Sequence, residues 1–163
     1  MKKIFDKFFG APSSAAPDFM PVLRPGAHSG PDKGACFMEY ISVLRGEKFS
    51  DCSRSVNPFI ANVARILNDN AYSNRLALVA LMGPAMSTGT GNTSVDASRA
   101  ERLRKWVVAQ GWDDWYASSW NTSIDHVDRL AKIIAKYHEW YGTEPHVITK
   151  AEVERVAKVG LPA

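Results

Sequence analysis

Five polar residues lie in a stretch of the chain that is otherwise strongly apolar: Glu39, Glu47, Asp51, Asn68 and Asp69. Paired carboxylates can act as general acid and base, and several oxygen ligands together can hold a cation. Glu39 needs a partner, because an unpaired charge beside a buried face is costly. The same residue types also cap helices and brace turns. We expect this structural role, and an enzyme using Glu39 with Asp51 or Asp69 is the alternative.

Cysteine and histidine are the other candidates for metal binding or nucleophilic attack: Cys36, Cys52, His28, His126, His138 and His146. Their spacing matches none of C-x-x-C, H-x-x-x-H or H-E-x-x-H, so we predict no metal and no cofactor. Cys36 falls near a helix start, where a thiol pKa can be lowered, but its apolar neighbours indicate a small core residue. We interpret both cysteines as free thiols of a reducing compartment, and a single bridge between them stays open.

The aromatic residues are concentrated in the second half, where all five tryptophans fall between positions 106 and 140. In WDDWYASSW the spacing does not follow one helix face, so some rings must be partly exposed or fill a junction between helices. Exposed Trp and Tyr beside arginine are typical of protein interfaces. Stacking on single-stranded bases and packing into the chain's own core are the other two interpretations. The predicted partner-binding residues are Arg102, Trp112, Trp115, Tyr116 and Trp120, together with Phe5 and Phe8 from an arm at residues 1–9.

The N-terminal arm, residues 1–9, has four apolar side chains on one helical face and its lysines mostly elsewhere. This pattern suits docking on a membrane surface or a partner, or packing of a first turn on its own domain. Asp6 and Lys7 interrupt the apolar run that a signal peptide needs, and no run is long enough to span a bilayer. We therefore expect a cytoplasmic protein.

The elements that position these residues are predicted to be helical. Five prolines between residues 10 and 33 exclude a helix there and indicate a strap whose second half is laid across the domain. Apolar periodicity predicts a helix over 36–44 that Gly46 stops, and a second that begins at Asn57-Pro58 and ends at the turn 68–70. A third, from Leu76 to Met82, should stop before Pro84.

The stretch GPAMSTGTGNT, residues 83–93, is predicted to be a flexible loop between two halves. It lacks G-K-[ST] and a preceding strand, so we do not expect it to bind phosphate. Beyond it, periodicity predicts helices around 100–107 and over 124–141. The pairs Thr122/Asp125 and Thr149/Glu152 fit capping boxes for the 124–141 helix and for a short last helix.

Together these patterns predict a small all-α domain of five or six helices with a proline-rich N-terminal strap. The chain of 163 residues, with 45% hydrophobic and 23% charged residues, suits one domain with an arm. We divide it into arm and strap (1–33), a helical core (34–85) and a Trp-rich helical half (94–163) that packs with the core. A net charge of +3 is low for a dedicated nucleic-acid binder.

The block GACFMEYISVLRGEKFSD followed by NPFIANVARILND resembles a family of proteins from actinobacteria, other bacteria and their phages. Members carry G-x-C-x-M-E, then S-x-L-x-G-E, S-D, a second cysteine, a proline and N-D, over about residues 24–85 here. Ser55 stands where the second cysteine would be and Asn57 where a histidine often is. The family has no established activity, so the resemblance implies a helical fold and little chemistry. The matching positions are Gly34, Cys36, Met38, Glu39, Ser42, Leu44, Gly46, Glu47, Ser50, Asp51, Pro58, Asn68 and Asp69.

The sequence thus favours a non-enzymatic accessory or regulatory protein, associated with a phage or mobile element, that acts by binding another protein. One alternative is a nucleic-acid-binding protein using the basic and Trp-rich segment 99–120. The other is a small enzyme using the carboxylates around Glu39 and Asp51.

Overall fold

The computed structural model describes residues 23–70, 72–113 and 124–159, and within them every regular element is helical. Only an isolated parallel bridge, between Leu23 and Ala35, adds extended pairing there. The prediction of a small all-α domain is confirmed. Two 3-10 helices, Pro31–Lys33 and Tyr72–Leu78, accompany six α-helices: α1 Phe37–Leu44, α2 Pro58–Asn70, α3 Val79–Ala85, α4 Thr93–Ala109, α5 Ile124–Tyr141 and α6 Lys150–Val159.

Helix α1 lies at the centre of the domain, and all eight of its residues are buried. It begins in a capping box, in which the Glu39 N–H donates to the Cys36 sulfur and the Glu39 carboxylate accepts from the Cys36 N–H. It ends as predicted at Gly46, whose φ of 67° lies in the left-handed region that glycine adopts without a steric penalty. Arg155 of α6 donates to the Leu44 carbonyl, which ties the last helix to the end of α1.

Helix α2 begins at the predicted Asn57-Pro58 pair, where the Asn57 side-chain oxygen accepts from the Phe59 N–H. It packs against α1, α4 and α5. A single cluster of buried apolar side chains therefore includes residues from both the predicted helical core, 34–85, and the Trp-rich half, 94–163.

The third helix departs from the prediction. Residues 72–78 form a 3-10 helix, and α3 runs over Val79–Ala85 with Pro84 inside it. Proline lacks the N–H that would bond to the carbonyl four residues earlier, and this normally ends a helix. Here the helix ends one residue later, so only its final turn carries this defect, and apolar burial of α3 outweighs it. The predicted stop before Pro84 is wrong.

The loop between α3 and α4 is packed into the domain, although the sequence predicted a flexible segment. The Thr88 hydroxyl is buried, accepts from the Asn57 N–H and donates to the Ala85 carbonyl. The Gly89 N–H donates to the Ser55 carbonyl, and a Cβ on Gly89 would lie 2.1 Å from the carbonyl oxygen of Arg54. These contacts fix the loop against residues 54–57, so the prediction of flexibility is wrong for Thr88 and Gly89.

No helix within the described parts of the chain is long and apolar enough to cross a membrane. The N-terminal arm with Phe5 and Phe8, most of the proline-rich strap and the tryptophan-rich residues 114–123 lie outside the described residues. Thr122, proposed for the capping box of α5, lies outside them as well.

Candidate functional site

Glu39 is the most completely engaged polar side chain of α1. One carboxylate oxygen accepts from the backbone N–H of His28 at 2.7 Å. The other accepts from the Cys36 N–H at 2.8 Å and lies 2.7 Å from the ring Nδ1 of His28. The side chain is almost fully buried, so these three donors are the partners that its burial requires.

The surroundings of Glu39 favour its charged form. Burial raises the pKa of the carboxyl, but the hydrogen bonds from the backbone of Cys36 and His28 and from the His28 ring outweigh it and lower that pKa. A lowered pKa makes a carboxylate a weaker base, and hydrogen bonds to both of its oxygens leave none free to take a proton from a substrate. Glu39 therefore holds the chain segment before α1.

The end of α2 holds the same segment from another side. The Asn68 side-chain amide donates to the Arg24 carbonyl, and the Asp69 carboxylate accepts from the Gly26 N–H, both at 2.7 Å. Together with Glu39 they form what we call the strap clamp: Glu39, Asn68 and Asp69 around residues 24–28. The strap clamp binds backbone groups of the chain itself.

Glu47 and Asp51, the other two members of the predicted polar set, make separate surface contacts. Glu47 lies 4.0 Å from the guanidinium of Arg45. Asp51 lies 3.9 Å from Arg65 and accepts from the Cys52 thiol. The structure thus brings three of the five predicted residues together on the strap and leaves Glu47 and Asp51 outside that group.

Both cysteines are free thiols, and neither is activated. Burial is the main cause that raises the pKa of the Cys36 thiol to about 11. The pKa of the exposed Cys52 thiol is raised first by its hydrogen bond to Asp51 and then by partial burial. In residues 23–70, 72–113 and 124–159, no three His, Cys, Asp or Glu side chains are placed to share a metal ion.

Two of the histidines considered as metal ligands pair instead with the glutamate of a capping box. His28 pairs with Glu39 of α1, and His146 lies 2.8 Å from Glu152 of α6. The capping box predicted at Thr149 and Glu152 is present, with hydrogen bonds in both directions. Motif spacing could not have shown the histidine partners, because each comes from a loop before the helix.

A different arrangement is found where α4 meets α5. Two arginines of α4 lie over aromatic rings of α5: the Arg102 guanidinium is 4.1 Å from the Trp140 ring centroid, and that of Arg99 is 4.1 Å from the Tyr141 centroid. Arg99 also donates to the Tyr137 hydroxyl at 2.7 Å. Cation–π stacking of this kind holds each guanidinium plane in place. We call these four residues, Arg99, Arg102, Trp140 and Tyr141, the arginine–aromatic face.

The aromatic rings continue beyond this face. Trp106 makes edge-on contacts with Trp140 at 6.2 Å and with Trp112 at 5.6 Å between centroids. These three indoles are half-buried against the core, so each is fixed on one side and reaches solvent on the other. Lys132 and Lys136 place ammonium groups within 6 Å of Trp112 and Trp106 respectively.

An open groove of about 490 Å³ lies beside the arginine–aromatic face. Positions 94, 98 and 102, and likewise 95 and 99, are four residues apart on α4 and so share one side of the helix. Among the described residues, neither Arg99 nor Arg102 is paired with a carboxylate. The groove is lined by Ser94, Val95, Ser98, Arg99, Arg102 and Tyr141.

Of the predicted partner-binding residues, the structure places Arg102 on the arginine–aromatic face and Trp112 at the end of the aromatic row. Trp115, Tyr116 and Trp120 lie outside the described residues, as do Phe5 and Phe8. The sequence analysis did not select Arg99, Trp140 or Tyr141. Their helical spacing was visible, but which side of α4 faces which side of α5 was not.

No protein-family profile, curated protein or solved structure matches the chain. The resemblance to a bacterial and phage family stays a prediction.

Proposed function

We propose that this chain is a non-enzymatic accessory or regulatory protein that binds a protein partner through the arginine–aromatic face. The observation that carries the proposal is the stacking of the exposed Arg102 on the half-buried ring of Trp140. Arg, Trp and Tyr are the residues most enriched among those that dominate binding energy at protein interfaces. Side chains already held in one geometry lose little conformational entropy when a partner binds.

The alternative enzyme receives less support from the residues proposed for it. Glu39 is occupied by three donors, and Asp51 interacts with Arg65 and Cys52. The groove beside the arginine–aromatic face is lined by hydroxyl and guanidinium groups, which bind well but supply no general base at neutral pH.

Association with a phage or mobile element, and a cytoplasmic location, belong to the same proposal and rest on the sequence. The arm at residues 1–9 offers a second docking element, for the partner or for a membrane surface. Deleting residues 1–9 and measuring co-sedimentation with anionic vesicles distinguishes these two uses of the arm.

Site-specific photocrosslinking in the native cell tests the proposed interface. A photoreactive amino acid replaces Val95, which is 39% exposed and lines the groove, and a control replaces Leu76, which is 76% exposed on the 3-10 helix 72–78. We expect a discrete protein adduct from position 95 that is missing from position 76. Equal adduct patterns from both positions, or adducts to nucleic acid only, would contradict the proposal.

Binding to single-stranded nucleic acid is the second candidate. It is favoured by the row of cations over indole rings, with Lys132 near Trp112 and Lys136 near Trp106, since bases stack on such rings. An oligo-dT probe followed by fluorescence anisotropy tests it. Affinity that falls steeply with salt, and less steeply in Lys132→Gln, supports this candidate, whereas affinity that is weak and flat with salt removes it.

A further inference from the structure

The groove beside the arginine–aromatic face presents hydrogen-bond donors. Its polar side chains are the hydroxyls of Ser94, Ser98 and Tyr141 and the guanidiniums of Arg99 and Arg102, and none of its lining residues is acidic. A guanidinium carries five N–H donors and no acceptor. Arg99 uses one of its nitrogens on the Tyr137 hydroxyl, which leaves donors on both arginines for another group.

Both guanidiniums lie near one ring, because Arg99 is 4.1 Å and Arg102 5.7 Å from the Tyr141 ring centroid. A groove that is lined by two positive charges and no negative one attracts an anionic ligand. A carboxylate carries one negative charge, whereas a phosphate monoester carries about −1.5 to −2 at neutral pH with three acceptor oxygens. The pair of arginines and the adjacent hydroxyls therefore fit a phosphate monoester better than a single carboxylate.

The start of α4 contributes little to this donor set. The backbone N–H groups of Ser94 and Val95 are already taken by the Asn92 side chain, which caps the helix. Recognition in the groove must therefore come from side chains. Arg99 is held by its hydrogen bond to Tyr137 and Arg102 by its stacking on Trp140, so both guanidiniums are oriented before a ligand binds.

We infer that the groove binds a phosphate monoester, carried as a phosphorylated side chain by the protein partner of the proposed function, on which this inference rests. The guanidinium forks of Arg99 and Arg102 contact the phosphate oxygens, and Ser94 and Ser98 donate from the same side of α4. Exposed Val95 and the Tyr141 ring supply apolar contact for the segment that carries the phosphate. Binding of this partner is then switched by phosphorylation.

Titration of the full chain with short peptides, followed by NMR of backbone amides, tests the inference. The probe is an acetylated, amidated Ala-phosphoserine-Ala peptide, and the controls are the same peptide with Ser or Glu at the centre. We expect saturable shifts of amides in residues 94–102 with the phosphopeptide only. Arg102→Gln should weaken binding about tenfold or more, because it removes a charge-assisted pair of hydrogen bonds.

The matched control is Arg104→Gln, which removes the same charge from the same helix. Arg104 is exposed, pairs with Glu101 and does not line the groove, so its loss should change affinity less than about twofold. The inference is overturned if the Glu peptide binds as tightly as the phosphopeptide, or if both variants lose equal affinity. It is also overturned if oligo-dT binds residues 94–102 more tightly than the phosphopeptide does.

Free inorganic phosphate distinguishes the source of the phosphate. If free phosphate displaces the phosphopeptide only at concentrations well above that of the peptide, the phosphate is recognised as part of a phosphorylated segment. Equal affinity for the free ion and the phosphopeptide overturns the role of the peptide.

Failure of this inference is distinguishable from failure of the proposed function. If the phosphopeptide does not bind but crosslinking from Val95 still yields a protein adduct, only the phosphate inference fails. If the phosphopeptide binds and no protein adduct forms, the proposed function fails.

Discussion

The strap clamp and the arginine–aromatic face are both rich in polar side chains, yet they use them in opposite ways. In the strap clamp, Glu39, Asn68 and Asp69 accept from or donate to backbone groups of the chain itself. On the arginine–aromatic face, Arg99 and Arg102 rest on aromatic rings and keep donors for other groups. Polar groups that are buried and satisfied internally stabilise the fold, whereas polar groups supported on one side by rings can bind a partner.

The largest effect should come from truncating Glu39. Glu39→Ala leaves the buried N–H of Cys36, the partly buried N–H of His28 and the His28 ring without their acceptor, so the free energy of unfolding should fall by about 3 kcal/mol or more. Urea denaturation measures this change. Glu47→Ala is the control, because its half-exposed carboxylate makes only a 4.0 Å contact with Arg45, and it should cost less than about 0.5 kcal/mol. Equal losses for the two variants would contradict the distinction between buried and surface carboxylates.

A smaller loss of stability is expected from the loop between α3 and α4. Gly89→Ala would place a Cβ 2.1 Å from the carbonyl oxygen of Arg54, so backbone must shift and the free energy of unfolding should fall by about 2 kcal/mol. Gly91→Ala meets no neighbouring atom but has a φ of 77°, which costs about 1 kcal/mol for a residue with a side chain. Thermal denaturation of both variants compares the cost of the steric clash at position 89 with the cost of the positive φ at position 91. A Gly89→Ala protein as stable as wild type would show that the loop is not packed as described.

Acid should weaken the strap clamp through Glu39 and the capping box of α6 through Glu152. Burial raises the pKa of Glu39 and of Glu152, but hydrogen bonds from Cys36 and His28 and from Thr149 and His146 outweigh it and hold both pKa values below the usual 4.5. A lowered folded-state pKa stabilises the fold above the unfolded pKa and loses this contribution as pH falls through the folded value. Unfolding free energy should therefore decline below about pH 4.5, and Glu39→Gln should make that decline shallower. An unchanged slope in the variant would mean that Glu39 is not a source of it.

The smallest effect on stability is expected on the arginine–aromatic face. Arg102→Gln removes two exposed cation–π contacts, with Trp140 and Tyr141, and should change the free energy of unfolding by no more than about 1 kcal/mol. It should nevertheless sharply reduce protein crosslinking from position 95, while Arg104→Gln leaves both quantities near wild type. Thermal denaturation and adduct yield, measured on the same samples, separate the two effects. A loss of stability as large as that of Glu39→Ala would place Arg102 in the fold and not in binding.

The sequence determined the features that depend on neighbouring residues. The stop at Gly46, the start at Asn57-Pro58 and the capping box of Thr149 with Glu152 are all found in the structure. Each rests on a residue whose backbone preference or side-chain reach acts within three or four positions, so the pattern alone is sufficient. The apolar periodicity of α1, α2, α4 and α5 is likewise a local feature, and it was sufficient to predict the all-α fold.

Only the tertiary structure decided which distant groups meet. Glu39 finds His28 eleven positions away, Asn68 reaches Arg24 across 44 positions, and Arg99 reaches Tyr137 across 38. Packing also carried α3 past Pro84 and buried Thr88 in a loop with the composition of a flexible linker. Such outcomes depend on the relative placement of helices, which local preference does not encode. The proposed binding surface therefore depends on how α4 faces α5, whereas the caps and stops of individual helices follow from neighbouring residues.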